Sequence, residues 1–483
     1  MLMRKELADF GLDTAASLGA SYADVRFVDG EQRLVSVRNG RPDRISHTSE
    51  SGYGVRVIVD NGWGFAGSYG PSKEDVKETV EKAVKLAKAS STTAKGAVTL
   101  APTKVVDDRF ESSIKVDPLT VPLEDVLELL ISADEAFREA SPHSRTTTGR
   151  IHSRMEDKYI ATSEGSRIEQ RIVFCGGQGQ GYVMDRGLVQ RRTYGINPLT
   201  RGFEYILEHD LQGMARKAGE EAEQLLSAEP CPTEIRTDLI LDDPHMYLQI
   251  HETIGHGSEL DRVLGTEVDL AGMSFLTPDK LGIFRYGSDH VNFVADPTIP
   301  DGLGTYGYDD EGVPARKVYL VKDGIFVGYQ SSRETAAQLG IEGSSAGMRA
   351  ATPVDLPIVR MNNICLEPGD WKSDEILEDT REGILMRTTK MWSVDQRRLN
   401  FQFGCEIGWK VEGGELTDVL RDPTYTGISY EFWRSLDATA KDDWKLYGTT
   451  GCGKGRPGQS IYVGHGAART RIKDVRIGIT GRM

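Results

Sequence analysis

The chain has 483 residues and a mass of 53.2 kDa, more than one ordinary hydrophobic core organises, so two or three domains are expected. Its 39% hydrophobic and 27% charged residues, with a mean hydropathy of -0.38, describe a soluble globular protein. A formal net charge of -15 with no dense Lys/Arg cluster argues against nucleic acid as a partner, and no run of about 18 apolar residues offers a membrane span.

The start, Met1-Leu2-Met3-Arg4-Lys5-Glu6, lacks the apolar core of a signal peptide. Residues 4–20 suit a short helix, and the alternating segments 23–28 and 33–38 suit half-buried strands, punctuated by turns at Asp29-Gly30 and Asn39-Gly40. Residues 54–59 and 62–66 continue the sheet across Asp60-Asn61-Gly62. Ser72 then caps a helix with Asp75 as its capping-box partner, and Val76, Val80, Ala83, Val84 and Ala87 form one apolar face. Residues 90–121 lack a sustained period and read as a connection, with a sub-boundary of the N-terminal region near 90–121, before a helix that follows Pro122. A hairpin turns at Glu164-Gly165, His152 lies on a strand as a packing or surface residue, and residues 211–226 form a helix. Pro230-Cys231-Pro232 stiffens the exit from this half. The expected class is α+β, with an N-terminal mixed α/β half over 1–232 and a β-rich half carrying the metal helix over 233–483.

The second half opens with the apolar strand 238–241 and a helix start at Asp242-Asp243-Pro244, with Asp243 as the N-cap and Pro244 as the first helical residue. This helix carries His251-Glu252-Thr253-Ile254-Gly255-His256, two imidazoles five residues apart with a carboxylate after the first. On an ideal helix that spacing turns about 140° and rises roughly 7.5 Å, too far for two metal bonds of about 2.1 Å. The helix must therefore be distorted, by a wide turn or an unwound end, with Gly255 supplying the freedom. Two histidines in a helix are often no more than satisfied polar groups. Against that stand the scarcity of histidine, nine in the chain, the carboxylate placed as in zinc proteases, and a third donor in Cys452, expected among glycines on a loop. His465, between Gly464 and Gly466, is the reserve ligand.

With these motifs, and with the continuation 257–265 and the run Cys452-Gly453-Lys454 followed by Gly458-Gln459-Ser460, the chain resembles the TldD/PmbA peptidases, specifically the metal-bearing TldD type. The resemblance spans nearly the whole chain. It implies a zinc-dependent protease acting on extended or unfolded peptides, with His251, His256 and Cys452 as Zn²⁺ ligands and Glu252 as the catalytic residue. It also implies a dimer, either with a PmbA/TldE-type partner lacking the metal motif or with a second copy. A non-catalytic assembly or regulatory subunit with a structural metal is the alternative. The five scattered cysteines do not form a disulfide framework, and with no signal peptide they suit a reducing cytoplasm.

Three further signals are weaker. Residues 448–454 nearly match a phosphate-binding loop, but Gly455 stands where Ser or Thr is needed. Gly453-x-Gly455-x-x-Gly458 fits a dinucleotide fingerprint in the wrong context, since Pro457 and a strand follow. Asp309-Asp310-Glu311-Gly312 lacks the full spacing of a calcium loop and reads as a solvated turn.

Overall fold

The computed structural model describes residues 2–70, 72–94, 96–267 and 272–478. Helix α1 (Leu2–Ser17) leads into β1 (Tyr22–Arg38), β2 (Arg41–Val59) and β3 (Gly62–Ser68), then α2 (Lys73–Ser91). The Asn39-Gly40 turn forms as expected, with φ of 50° and 72°. Asp29-Gly30 does not turn: β1 runs straight through both, pairing Gly30 with Glu50 on one side and Glu156 on the other. A Cβ at Gly30 would lie 2.9 Å from the Arg154 guanidinium, so the glycine answers crowding on the sheet rather than chain reversal. The Ser72–Asp75 capping box is present, and the five apolar residues named for α2 are buried.

The stretch 90–121 contains a strand, β4 (Asp107–Glu111), paired parallel with a later one. Its exposed, charged sequence Asp-Asp-Arg-Phe-Glu hid it, because an edge strand solvated on both faces has no apolar alternation to read. After α3 (Leu123–Ala140) come β5 (Ser144–Thr162), β6 (Arg167–Asp185), β7 (Leu188–Leu199), the single turn α4 (Glu204–Leu207) and α5 (Leu211–Ser227). The seven strands form one sheet in the order β3-β2-β1-β5-β6-β4, with β7 against β6. The apolar side chains of this sheet pack beneath α1 and α2 at one end and beneath α3 and α5 at the other. The opposite face, which carries Arg26, Arg56 and Lys158, meets the second half.

That second half holds two larger sheets and one short pair. One sheet has six strands: β10 (Phe293–Ala295), β11 (Val318–Lys322), β12 (Ile325–Phe326), β15 (Asn363–Leu366), β21 (Lys445–Lys454) and β22 (Gln459–Ala467). Their order is β12-β11-β10-β15-β22-β21, which leaves β21 on an edge. The other sheet is built on β9 (Ile235–Leu241), β16 (Glu382–Val394), β17 (Asn400–Glu412), β18 (Glu415–Arg421), β19 (Thr424–Ile428) and β23 (Thr470–Ile477). Two short strands join this second sheet, β8 (Glu229–Pro230) beside β18 and β20 (Leu436–Thr439) beside β23, while β13 (Met348–Arg349) and β14 (Ile358–Val359) pair with each other. The helix α6 (Asp243–Ile250) lies between the two larger sheets, touching β16 of one and β15, β21 and β22 of the other. Met246, Leu248 and Ile250 anchor it in the largest apolar core, as the sequence indicates. The class is α+β as expected, helices and strands mixed in the first half and strands dominating the second, and among the described residues no helix is long and apolar enough to cross a membrane.

The acidic run 309–311 is not a solvated turn. All three carboxylates are buried, at 1%, 1% and 2% exposure. Asp310 Oδ2 meets Arg26 at 2.5 Å and its Oδ1 meets Lys158 at 2.7 Å, while Glu311 accepts from Arg56 at 3.3 Å. Asp309 accepts backbone N–H groups of Glu311, Val313 and Met348 instead. The cations that pair with Asp310 and Glu311 are more than 150 residues distant in sequence, which is why local composition pointed to solvent.

Candidate metal centre

The helix that leads into His251 begins one residue earlier than expected. Asp242 occupies the N-cap position, with Asp243 and Pro244 inside the first turn. Asp242 does not cap through its side chain, since its carboxylate is taken by Arg387 and Arg469. The regular helix ends at Ile250, residues His251–Gly255 form one π-helical turn, and His256–Ser258 tighten into a 3₁₀ turn. The His256 N–H reaches the His251 carbonyl, the i to i+5 bond that defines a wide turn and sets both imidazoles on one side. Gly255 is needed for a different reason from the one expected: its φ of -54° is ordinary right-handed helix. A Cβ there would sit 2.4 Å from the Met361 sulfur, so it is space, not backbone freedom, that glycine supplies.

Cys452 lies on the strand β21, not on a loop. The pairing of β21 with β22 slips between Thr449 and Cys452, and this bulge places the thiol inside the core while Gly451 and Gly453 stay exposed on either side. The donor atoms of His251, His256 and Cys452 all lie within 4.8 Å of one another, and Cys452 Sγ is 3.6 Å from His256 Nε2. The ring planes of the two histidines stand at 88°.

Each imidazole is held from behind. His465 Nδ1 lies 3.2 Å from the Ile364 carbonyl and its Nε2 2.8 Å from His251 Nδ1. A carbonyl only accepts, so His465 donates to it, and His251 Nδ1–H donates to His465, which leaves His251 Nε2 as a bare lone pair. On the other side His256 Nδ1 donates to Glu259 Oε2 at 2.9 Å, leaving its Nε2 beside the thiol. Burial pushes His251 and His465 below the usual imidazole value. Burial pushes the Cys452 thiol up, but His256 and Arg360 outweigh it and hold the thiol below its ordinary value. Two tautomer-locked nitrogens and an acidified thiol converging on one point are the donor set of a borderline-soft divalent cation, and the residues fit zinc. His465 therefore stands behind His251 and outside the converging set.

Glu252, only 7% exposed, lies in an ion pair with Arg398 at 2.5 Å. Burial pushes its carboxyl up, but His251, His256 and Arg398 prevail and keep it below the usual value. Arg398 sits at φ 62° between β16 and β17, a left-handed position where a side chain is strained, and it had no sequence signal. Glu259, within the 257–265 run, would be raised by burial, but Lys454, His256 and Arg262 hold it well below the carboxylate range. Lys454 Nζ is committed to Asp261 at 2.7 Å and 2.9 Å within a strand, which removes the phosphate-loop and dinucleotide readings of 448–458.

Fold and site together define a metallopeptidase-like architecture, and comparison with known proteins gives the same class. Residues 235–478 match the PmbA/TldA metallopeptidase C-terminal domain, 116–226 its central domain and 23–87 its domain 1. A metalloprotease of Methanocaldococcus jannaschii is 35% identical, covering 93% of this chain and 95% of its own. A zinc metalloprotease TldD homolog of Saccharolobus solfataricus is 24% identical over 96% of this chain and 98% of its own. The crystal structure of TldE from Thermococcus kodakarensis superposes with a TM-score of 0.78 at 18% identity, covering 99% of this chain and all of that one. The chain belongs to the PmbA/TldD metallopeptidase family.

Proposed function

We propose that this protein is a zinc-dependent peptidase that hydrolyses extended or unfolded peptides, with His251, His256 and Cys452 holding the metal and Glu252 acting as general base. The observation that carries the reading is the convergence of three buried donor atoms within 4.8 Å beside a deprotonated carboxylate. Zinc bound there would supply Lewis acidity toward a scissile carbonyl and an acidified water. Glu252 is placed to take a proton from an attacking water and to deliver it to the leaving amine. Arg398 keeps the Glu252 carboxylate charged and aimed until substrate arrives, and His465 and Glu259 fix the imidazole tautomers.

The free edge of β21 suits a peptide added as one more strand. Gly451 and Gly453 have open space where a Cβ would stand, so a second backbone can approach on either side of Cys452. The proposed halves are 1–232 and 233–483, and the partner a TldE-type subunit or a second copy. Five buried cysteines, none in a disulfide, suit a reducing cytoplasm. The nearly closed site and the Glu252–Arg398 pair favour, as a second reading, a structural metal in a non-catalytic subunit.

The test is zinc content measured alongside cleavage of an unstructured peptide, with and without a TldE-type partner. Glu252→Gln should retain zinc and lose cleavage by about 10²–10⁴-fold, the worth of a positioned general base. Zinc-replete protein that cleaves nothing in either setting would leave the second reading standing.

A further inference from the structure

The face of the N-terminal sheet that meets the second half carries a line of cations, and its two ends differ. At one end Arg26, Arg56 and Lys158 are matched by Asp310, Glu311 and Asp24. In the middle Arg154 pairs with Glu50 and Glu156. At the far end, pairing register places Arg44, Ser36, Arg150 and Gln178 in one row across β2, β1, β5 and β6. Arg150 reaches Gln178 Oε1 at 3.4 Å, and among the described residues no carboxylate pairs with it or with Arg44.

These two arginines border a cleft of about 440 Å³ whose opposite wall is the edge strand β21, from Gly448 to Gly451. Among the described residues, no acidic side chain lines it. Arg150 also lines the adjoining hollow of about 320 Å³, where the carboxylate present, Asp43, is paired with Arg38 at 3.3 Å. Gly176 and Gly177 thin the sheet side of the cleft floor. His152 there is neutral at pH 7, pushed down to about 4 by burial and then by Arg154 and Arg150, so the cleft's charge is that of its arginines. In a chain of net charge -15, two exposed arginines facing an acid-free wall create a local field of the opposite sign to the rest of the molecule.

From this we infer that the cleft selects acidic segments of the polypeptide substrate, an inference that rests on the peptidase reading. A peptide paired along β21 would run from Cys452 past Gly448, about 13 Å in an extended strand. Its aspartates or glutamates a few residues from the scissile bond would then face Arg44 and Arg150. The edge strand beside the metal centre and the strongly acidic remainder of the chain favour a peptide over nucleic acid.

The experiment uses full-length Glu252→Gln protein and fluorescent unstructured peptides that differ only in Glu, Gln or Lys on one side of the cleavage site. At low salt the Glu peptide should bind about tenfold more tightly than the Gln peptide, and the gap should close as salt is raised. Arg44→Glu with Arg150→Glu, and Arg44→Glu alone, should shift the preference toward the Lys peptide, with circular dichroism confirming the fold. Equal binding of the three peptides, or no shift in the charge-reversed proteins, overturns the inference. So does a thymidylate oligomer that binds more tightly than the Glu peptide and displaces it. Failure of the peptidase reading is seen separately, as absence of cleavage of the Gln peptide by the zinc-loaded wild type.

Discussion

At the seam between the halves, Asp310 lies between Arg26 and Lys158, each carboxylate oxygen matched by a cation. At the metal centre, Glu259, Arg262, Lys454 and Asp261 form a network equally buried, but its innermost layer ends differently. There two imidazole nitrogens and a thiol point inward together. Both clusters bear the cost of desolvating ions, and both offset it with paired partners and hydrogen bonds. The difference separates holding from receiving. The seam is complete in the chain itself, whereas the donors converging at the centre are of the kind that fit a cation supplied from outside.

Removing Cys452 should show the largest effect. Cys452→Ala leaves two nitrogens, and zinc should fall from about one per chain to near zero after dialysis, read by elemental analysis. Unchanged stoichiometry would mean that the donor set is wrong. Next in size is Asp310→Ala, which strands Arg26 and Lys158 in the seam and should cost roughly 3–5 kcal/mol in urea unfolding. A loss below about 1 kcal/mol would show that the seam tolerates open charge as the centre does, and the contrast would collapse. Glu259→Gln tests the layer behind the ligands. Zinc affinity should weaken about 10–100-fold while the protein stays folded, measured by competition with a chelator.

The smallest effect concerns pH. Burial pushes the Glu156 carboxyl up, but Lys158 and Arg154 overcome it and hold it at about 2. A depressed carboxylate contributes stability that is full above its unfolded value near 4.3 and is lost as pH falls toward 2. The stability gap between wild type and Glu156→Gln should accordingly narrow from pH 7 to pH 3, and a gap that widened would refute the assignment.

Much of the site was legible because its chemistry is local. The five-residue spacing of the histidines is incompatible with a regular helix, and the wide turn follows from that conflict. The Ser72–Asp75 box and the Asn39-Gly40 turn were legible for the same reason, each set by residues within one turn of chain. What stayed hidden depends on distant partners. Asp242 serves at the helix start while its carboxylate goes to Arg387 and Arg469, and Gly30 sits in a strand because Arg154 and Glu50 crowd it. Arg398 meets Glu252 across 146 residues, and no spacing rule reaches that far.

The wide turn at His251–Gly255 amounts to one surplus residue threaded into a helix. Deleting Ile254 would restore the four-residue interval of ordinary zinc-protease helices, yet each residue removed rotates everything downstream by about 100°. His256, carrying Glu259 with it, would swing away from Cys452, and Ser258 would leave its bond with Gln330. The insertion thus works as a phase adjuster: it sets the angular relation between the first imidazole and all that supports the second, so shortening the motif would ruin the centre even while bringing its histidines closer.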